Sequence, residues 1–172
     1  MRRKDREVSD PKEVIDILSR CNTIHVGIQG DKYPYVVPLS FGMEVIAEKP
    51  VLYFHCARQG MKLDLLRQNP DVCVEAEIFM QIEKTAHGIT ARYESVIGFG
   101  RCTFLTDPDE IAHGLKLLTE HYGHYDYPLD RCRGLKYLNI GKIVLESITG
   151  KKNLPGSPTP ADRAARAAQQ SE

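Results

Sequence analysis

The sequence has no excess of charge of either sign: its 172 residues carry 23 Lys and Arg against 23 Asp and Glu. A balanced chain offers no general electrostatic pull on nucleic acid or on an anionic membrane, so neither is expected as a partner. It also lacks an apolar run long enough to span a bilayer. The opening MRRKDREVSD is charged and leads into a periodic segment rather than the apolar centre of a signal peptide, which sets the expectation of a cytoplasmic protein. The five cysteines, Cys21, Cys56, Cys73, Cys102 and Cys132, are odd in number and contain no C-x-x-C pair. That argues against a zinc site and a redox dithiol, and the cysteines read as small buried hydrophobes. A chain of this length buries enough apolar surface to fold without a disulfide or structural metal, and no metal is expected.

What is present is organised around Val51 to Pro70, VLYFHCARQGMKLDLLRQNP. Val51, Tyr53 and His55 alternate with Leu52, Phe54 and Cys56, the period of a strand, which ends by presenting His55 on one face and Cys56 on the other. Ala57 to Gly60 break the pattern, and from Met61 the apolar residues Leu63, Leu65 and Leu66 run to an Asn69-Pro70 stop, the pattern of a short helix. A helix start points unpaired N–H groups at whatever lies before it. With Arg58 and Lys62 beside those donors, the loop is either a phosphate seat or an ordinary solvated helix start.

The rest of the chain reads as short strands with a few helices. Ser9-Asp10-Pro11 starts a helix with an apolar face of Val14, Ile15, Ile17, Leu18 and Cys21. Thr23 to Ile28 and Tyr35 to Phe41 form a hairpin around Gln29-Gly30-Asp31-Lys32. Pro38 in its second arm confines that arm to a sheet edge, a bulge or an opened ladder, where free main-chain groups could meet a flat heterocycle. Gly42 to Pro50 reads as a connection, Asp71 to Phe79 as a half-buried strand and Gln81 to Gly88 as a polar loop. Ile89 to Leu105 is a long strand with Tyr93, Ser95, Ile97 and Phe99 on one face, where Gly98 and Gly100 permit a bulge. Asp107 caps a further helix carrying Ile111, Leu115, Leu118 and Tyr122. Tyr137 to Thr149 is the last strand, with Ile143, Leu145 and Ser147 on one face. Residues 1–154 form one domain, and 155–172 read as a flexible tail. This order predicts a mainly β fold, an antiparallel barrel with helices packed outside it.

Three further groups bear on chemistry. His121 and His124 stand three apart, a spacing that suits two ligands of a metal or haem, or else a solvated helix end. Tyr122, Tyr125 and Tyr127 with Pro128 suit a lid or an interface. Lys151-Lys152 is an exposed pair or a reach toward a partner's phosphate.

The segments PYVVPLSF (34–41), LYFHCARQGMKLDLLRQNPDVCVE (52–75) and ARYESVIGFGRCTFL (91–105), in this order and spacing, resemble the pyridoxamine 5'-phosphate oxidase-like flavin-binding proteins. They are most similar to the nitroimidazole-resistance (Nim-type) branch, and MRRKDREVSD and ITGKKN extend the likeness. The resemblance implies a split β-barrel homodimer binding FMN in two grooves at the interface. It implies an FMN-dependent oxidoreductase acting on a small electron acceptor such as a nitroaromatic or nitroimidazole. The alternatives are FAD or haem as cofactor, in a split-barrel binder without turnover.

By the same resemblance Val36, Val37, Pro38, Leu39 and Ser40 run beside the flavin ring. His55, Cys56 and Ala57 end the neighbouring strand, while Arg58, Gly60, Met61 and Lys62 hold the phosphate. Ser95 and Val96 lie on a strand brought against the flavin, and Arg92 and Tyr93 lie near the mouth. His55, whose imidazole titrates near neutrality, is the candidate catalytic acid beside the simpler reading of a hydrogen-bonding residue. Met61-Lys62 stands where the oxidase carries consecutive Arg and Lys, and the oxidase's C-terminal substrate pattern is missing, which speaks against vitamin B6 oxidation.

Overall fold

The computed structural model describes residues 3–86, 88–129, 134 and 137–158. Cys132 and most of the tail, residues 159–172, lie outside them. After a 3-10 turn at Lys4–Arg6 the chain forms β1 (Glu7–Val8), α1 (Pro11–Arg20), β2 (Ile24–Ile28), β3 (Tyr35–Leu39), β4 (Gly42–Ile46) and β5 (Lys49–Ala57). There follow α2 (Met61–Gln68), β6 (Asp71–Thr85), β7 (Gly88–Phe104), α3 (Pro108–His121) and β8 (Leu138–Asn153). Every strand pairing is antiparallel, in the order β3-β2-β6-β7-β8-β5-β4, with β1 added beside β8. The sheet curls around one core without closing, because β3 and β4 at its two ends do not pair. This is the split-barrel form of the expected antiparallel barrel.

The core is built from the inward residues of alternating strands, among them Val26, Leu52, Phe54, Val74, Val96 and Ile143, and is closed by Val14, Ile17 and Leu18 of α1 and by the leucines of α2. Leu63 is 1% exposed, so truncation to Ala there would cost about 2–5 kcal/mol. Strand β5 is buried on both faces from Pro50 to Phe54. Its second face is covered by α3, where Gly114 lets the helix approach Tyr53 and Ile140.

Three sequence readings are corrected. Gly42 to Pro50 is a hairpin rather than a connection: β4 and β5 pair through a two-residue turn in which Ala47 and Glu48 both take positive φ (48° and 65°). Gln81 to Thr85 is strand rather than loop, because β6 and β7 continue their ladder as far as Thr85 opposite Gly88. The last strand has no single alternation, since Phe99 pairs Ser147 while Gly100 pairs Leu145 and Glu146 bulges out. Beyond the bulge Ile148 packs on the core in place of Ser147. The bulge sits where a Cβ on Gly100 would lie 2.2 Å from the Val144 carbonyl oxygen, so the close approach expected of a strand glycine is present.

Candidate functional site

Three groups of expected site residues fall in three places. The first is a cleft of about 170 Å³ between the end of β5 and the start of α2. Cys56, Ala57, Gly60, Met61 and Lys62 line it, together with Tyr35, Gln59 and Leu63, which the sequence reading did not single out. Gly60 heads α2 with φ 134° and provides no side-chain cap. Its carbonyl already accepts from the Leu63 and Asp64 amides at 2.9 and 3.3 Å. The donors this helix start can offer an anion are therefore the Met61 and Lys62 amides. The Lys62 ammonium lies 5.5 Å from the centroid of the Phe54 ring, a cation–π position on the cleft wall. Arg58 is exposed and lies outside the lining.

Cys56 is 7% exposed, and desolvation pushes its thiol up against the opposing pull of Lys62. Cys102 is held higher still, at about 12, by burial and by Cys56. Both are protonated packing groups, as the cysteine pattern suggested. His55 projects from the other face of β5, exposed and opposite Ile140, and is not part of the cleft lining.

The second group is the edge strand. β3 pairs β2 along one side, Pro38 lying opposite His25, and ends the sheet on the other, so the edge reading of Pro38 holds. Val36, Pro38 and Ser40 are exposed, whereas Val37 and Leu39 turn toward the core and leave only main chain for a ligand.

The third group lies on the sheet face turned away from the core. Ser95 lines a shallow groove of about 320 Å³ with Ile97, Phe99, Thr149 and Lys151. Tyr93 is on the same face, under the Arg6 guanidinium at 6.0 Å. Val96, 2% exposed, points the opposite way and belongs to the core. Arg92 is not at a mouth. It shares the inward face with Glu94, is 1% exposed, and donates to both Glu83 oxygens (2.9 and 2.8 Å), to Asn153 Oδ1 (3.0 Å) and to the Ser157 carbonyl (3.0 Å).

Of the remaining candidates, His121, Tyr122 and Lys152 have partners within the chain. His121 Nε2 lies 2.8 Å from the Cys21 carbonyl oxygen and its ring packs on Phe41. The Tyr122 hydroxyl donates to the Asn22 carbonyl and accepts from the Phe41 amide. Tyr125 and Tyr127 are exposed, and Lys152 is paired with Glu13. Among the described residues no cluster of three metal-ligating side chains occurs, and no helix is long and apolar enough to cross a membrane.

An open antiparallel barrel with a helix start facing a cleft beside its edge strand defines a class, and the comparisons give its family. The chain belongs to the pyridoxamine 5'-phosphate oxidase family, whose model matches residues 10–152. None of the curated proteins matches it. Among solved structures it is similar to a proposed 5-nitroimidazole antibiotic resistance protein of Bacteroides thetaiotaomicron, with 26% identity over 84% of this chain and 85% of that one, TM-score 0.72. The same fold occurs in a flavocytochrome of Azotobacter vinelandii (19% identity, 95% and 77% covered, TM-score 0.74). It occurs also in a FAD- and haem-binding protein of Mycobacterium smegmatis (16% identity, 93% and 80% covered, TM-score 0.70). The resemblance noted from the sequence, to this family and its nitroimidazole-resistance branch, is thus borne out.

Proposed function

We propose that the protein binds FMN and passes electrons to a small acceptor of the nitroaromatic type, as a homodimer whose two cofactor grooves lie between the copies. The observation that carries this reading is the cleft at the start of α2: two open amides, a lysine and a glycine whose φ of 134° suits no other residue. Those groups fit the phosphate end of the cofactor. At about 170 Å³ the cleft is smaller than the roughly 300–1,000 Å³ of a complete small-molecule site, so one copy holds only part of it. The Ser95 groove is separate from this cleft, and in this reading the second copy supplies it.

Bound flavin would supply the redox chemistry. This chain would anchor the phosphate through Gly60, Met61 and Lys62, line the ring with the exposed edge of Val36, Pro38 and Ser40, and exclude water with Tyr93 and Ser95 of the facing copy. His55, on the other face of β5, is assigned a supporting hydrogen bond at most. The family name does not extend to the substrate, since the oxidase's paired Arg-Lys is Met61-Lys62 here. Absorbance of the purified protein and titration with FMN, FAD and haemin test the cofactor. Anaerobic reduction by NADPH or NADH followed by a nitroimidazole tests turnover. Tight FMN binding without reoxidation by any acceptor would reduce the protein to a flavin carrier, and failure to bind FMN would end the proposal.

A further inference from the structure

The hairpin of β2 and β3 is closed at one end by its turn and open at the other, where Cys21 to Thr23 lead in and Ser40-Phe41 lead out. Its last paired residues are Ile24 and Leu39. β3 is also a sheet edge, paired with β2 alone, so no ladder fixes the main chain at Ser40 and Phe41. A strand end held from one side frays unless something else grips it.

The C-terminal end of α3 grips it. The helix lies against this corner because Gly42 has no side chain: a Cβ there would overlap the Leu117–Leu118 peptide. The end of the helix then brings His121 and Tyr122 over the open end of the hairpin. The Tyr122 hydroxyl donates to the Asn22 carbonyl (2.6 Å) and accepts from the Phe41 amide (3.1 Å), so one oxygen ties the hairpin's entry to its exit. His121 Nε2 donates to the neighbouring Cys21 carbonyl at 2.8 Å, and its ring packs on that of the buried Phe41. The Phe41 amide is thereby turned toward α3. In a trans peptide the N–H and the preceding carbonyl point in opposite directions, and no cis bond occurs among the described residues. The Ser40 carbonyl therefore points away from Tyr122, at a residue that is itself exposed, and accepts from no described residue.

We propose that Tyr122 is a positioning residue for the cofactor: by fixing the Ser40–Phe41 peptide it holds the Ser40 carbonyl out as an acceptor for the single ring N–H of oxidised flavin. The inference rests on the flavin reading above, which sets the ring beside Val36, Pro38 and Ser40, and adds what keeps that edge in place. Val36 and Pro38 are apolar, so a main-chain oxygen is the partner this edge can offer a ring N–H, and a donor left unpaired on binding would weaken it. An acceptor already held in place also avoids the ordering cost that a loose strand end would add.

The test is Tyr122→Phe in the full chain, which keeps the ring and removes only the hydroxyl. Affinity for FMN and for riboflavin should fall together, each about fivefold, because the contact is at the ring and not at the phosphate. Riboflavin methylated on its ring N–H should bind the unmodified protein about fivefold more weakly than riboflavin, a readout needing no variant, and should bind the variant no more weakly still. With no ligand present, hydrogen exchange of the Phe41 amide should quicken at least about tenfold in the variant. Unchanged Phe41 exchange overturns the clamp. Unchanged flavin affinity, a loss confined to FMN, an equal loss for the methylated ring, or a methylated ring bound by the unmodified protein as tightly as riboflavin each overturn the positioning role while the flavin reading survives. An unmodified protein that binds neither FMN nor riboflavin ends that reading and the positioning role with it, whereas Phe41 exchange still decides the clamp.

Discussion

Helices α1 and α3 begin alike and α2 begins differently. Asp10 accepts from the Lys12 amide and Asp107 from those of Asp109 and Glu110, and each is followed by proline at the first helical position. Asp107 thereby meets both free amides at the start of α3 and Asp10 one of those at α1, so each start carries a side-chain cap of its own. At α2 the cap position is Gly60, which has no side chain to offer. A start left open next to a lysine and a cleft is available to an outside anion. The contrast within one chain is more informative than the open start alone, because it shows that capping is the local habit and α2 the departure from it.

The comparison breaks most severely at Gly60. A Cβ at Gly60 meets nothing within 4 Å, so the main cost of Gly60→Val is the backbone strain of φ 134°, roughly 1–3 kcal/mol. Reorienting the Met61 and Lys62 amides should in addition lower FMN affinity by at least about tenfold, which denaturation and flavin titration read separately. Lys62→Met sharpens the same point. It keeps the stem over Phe54 and removes the charge, so FMN affinity should fall about tenfold while binding of riboflavin, which lacks the phosphate, stays within about twofold. Equal loss for both ligands would detach Lys62 from the phosphate. The reverse pattern is expected at α3: Asp107→Ala should cost about 1 kcal/mol of stability and leave FMN affinity unchanged.

The capped starts were legible because Asp10-Pro11 and Asp107-Pro108 carry their signal within two residues. The β4–β5 turn was not, because a tight hairpin with two positive φ values is normally announced by Asn-Gly, and Ala47-Glu48 announces nothing. Replacing that pair by Asn-Gly should therefore stabilise the protein by about 1 kcal/mol in thermal or urea unfolding. Gln81 to Thr85 reads as loop because its polar residues, Gln81 and Glu83 among them, mask a strand whose apolar residue Ile82 faces outward, against the usual rule. At the candidate site the resemblance pointed to Cys56, Gly60 and Lys62. Gln59 is Gly60's neighbour in the same loop, whereas Tyr35 of β3 joins them only through the curl of the sheet, which no local pattern encodes. Arg92 failed for a related reason: alternation places it inward with Glu94, and a buried arginine is invisible in sequence until Glu83 and Asn153 are seen around it.

A smaller effect separates the two ends of α3 from its middle. His113 Nε2 approaches Glu44 Oε1 at 3.1 Å, and the Tyr53 hydroxyl donates to the same oxygen at 2.6 Å, so β4, β5 and α3 meet at one carboxylate. Burial alone would raise the Glu44 pKa, but the hydrogen bonds from Tyr53 and His113 outweigh it and hold the carboxyl below its ordinary 4.5. A depressed folded-state pKa means stabilisation that is complete above that ordinary value and is lost as pH falls below it. Glu44→Gln should accordingly cost on the order of 0.5 kcal/mol at neutral pH and nothing extra once the wild-type carboxyl is protonated, so the two unfolding curves converge on acidification. The convergence should leave Asp107→Ala behind if the cap acts as a hydrogen-bond acceptor in its own right, since Glu44 and Asp107 touch no common group and their effects should add.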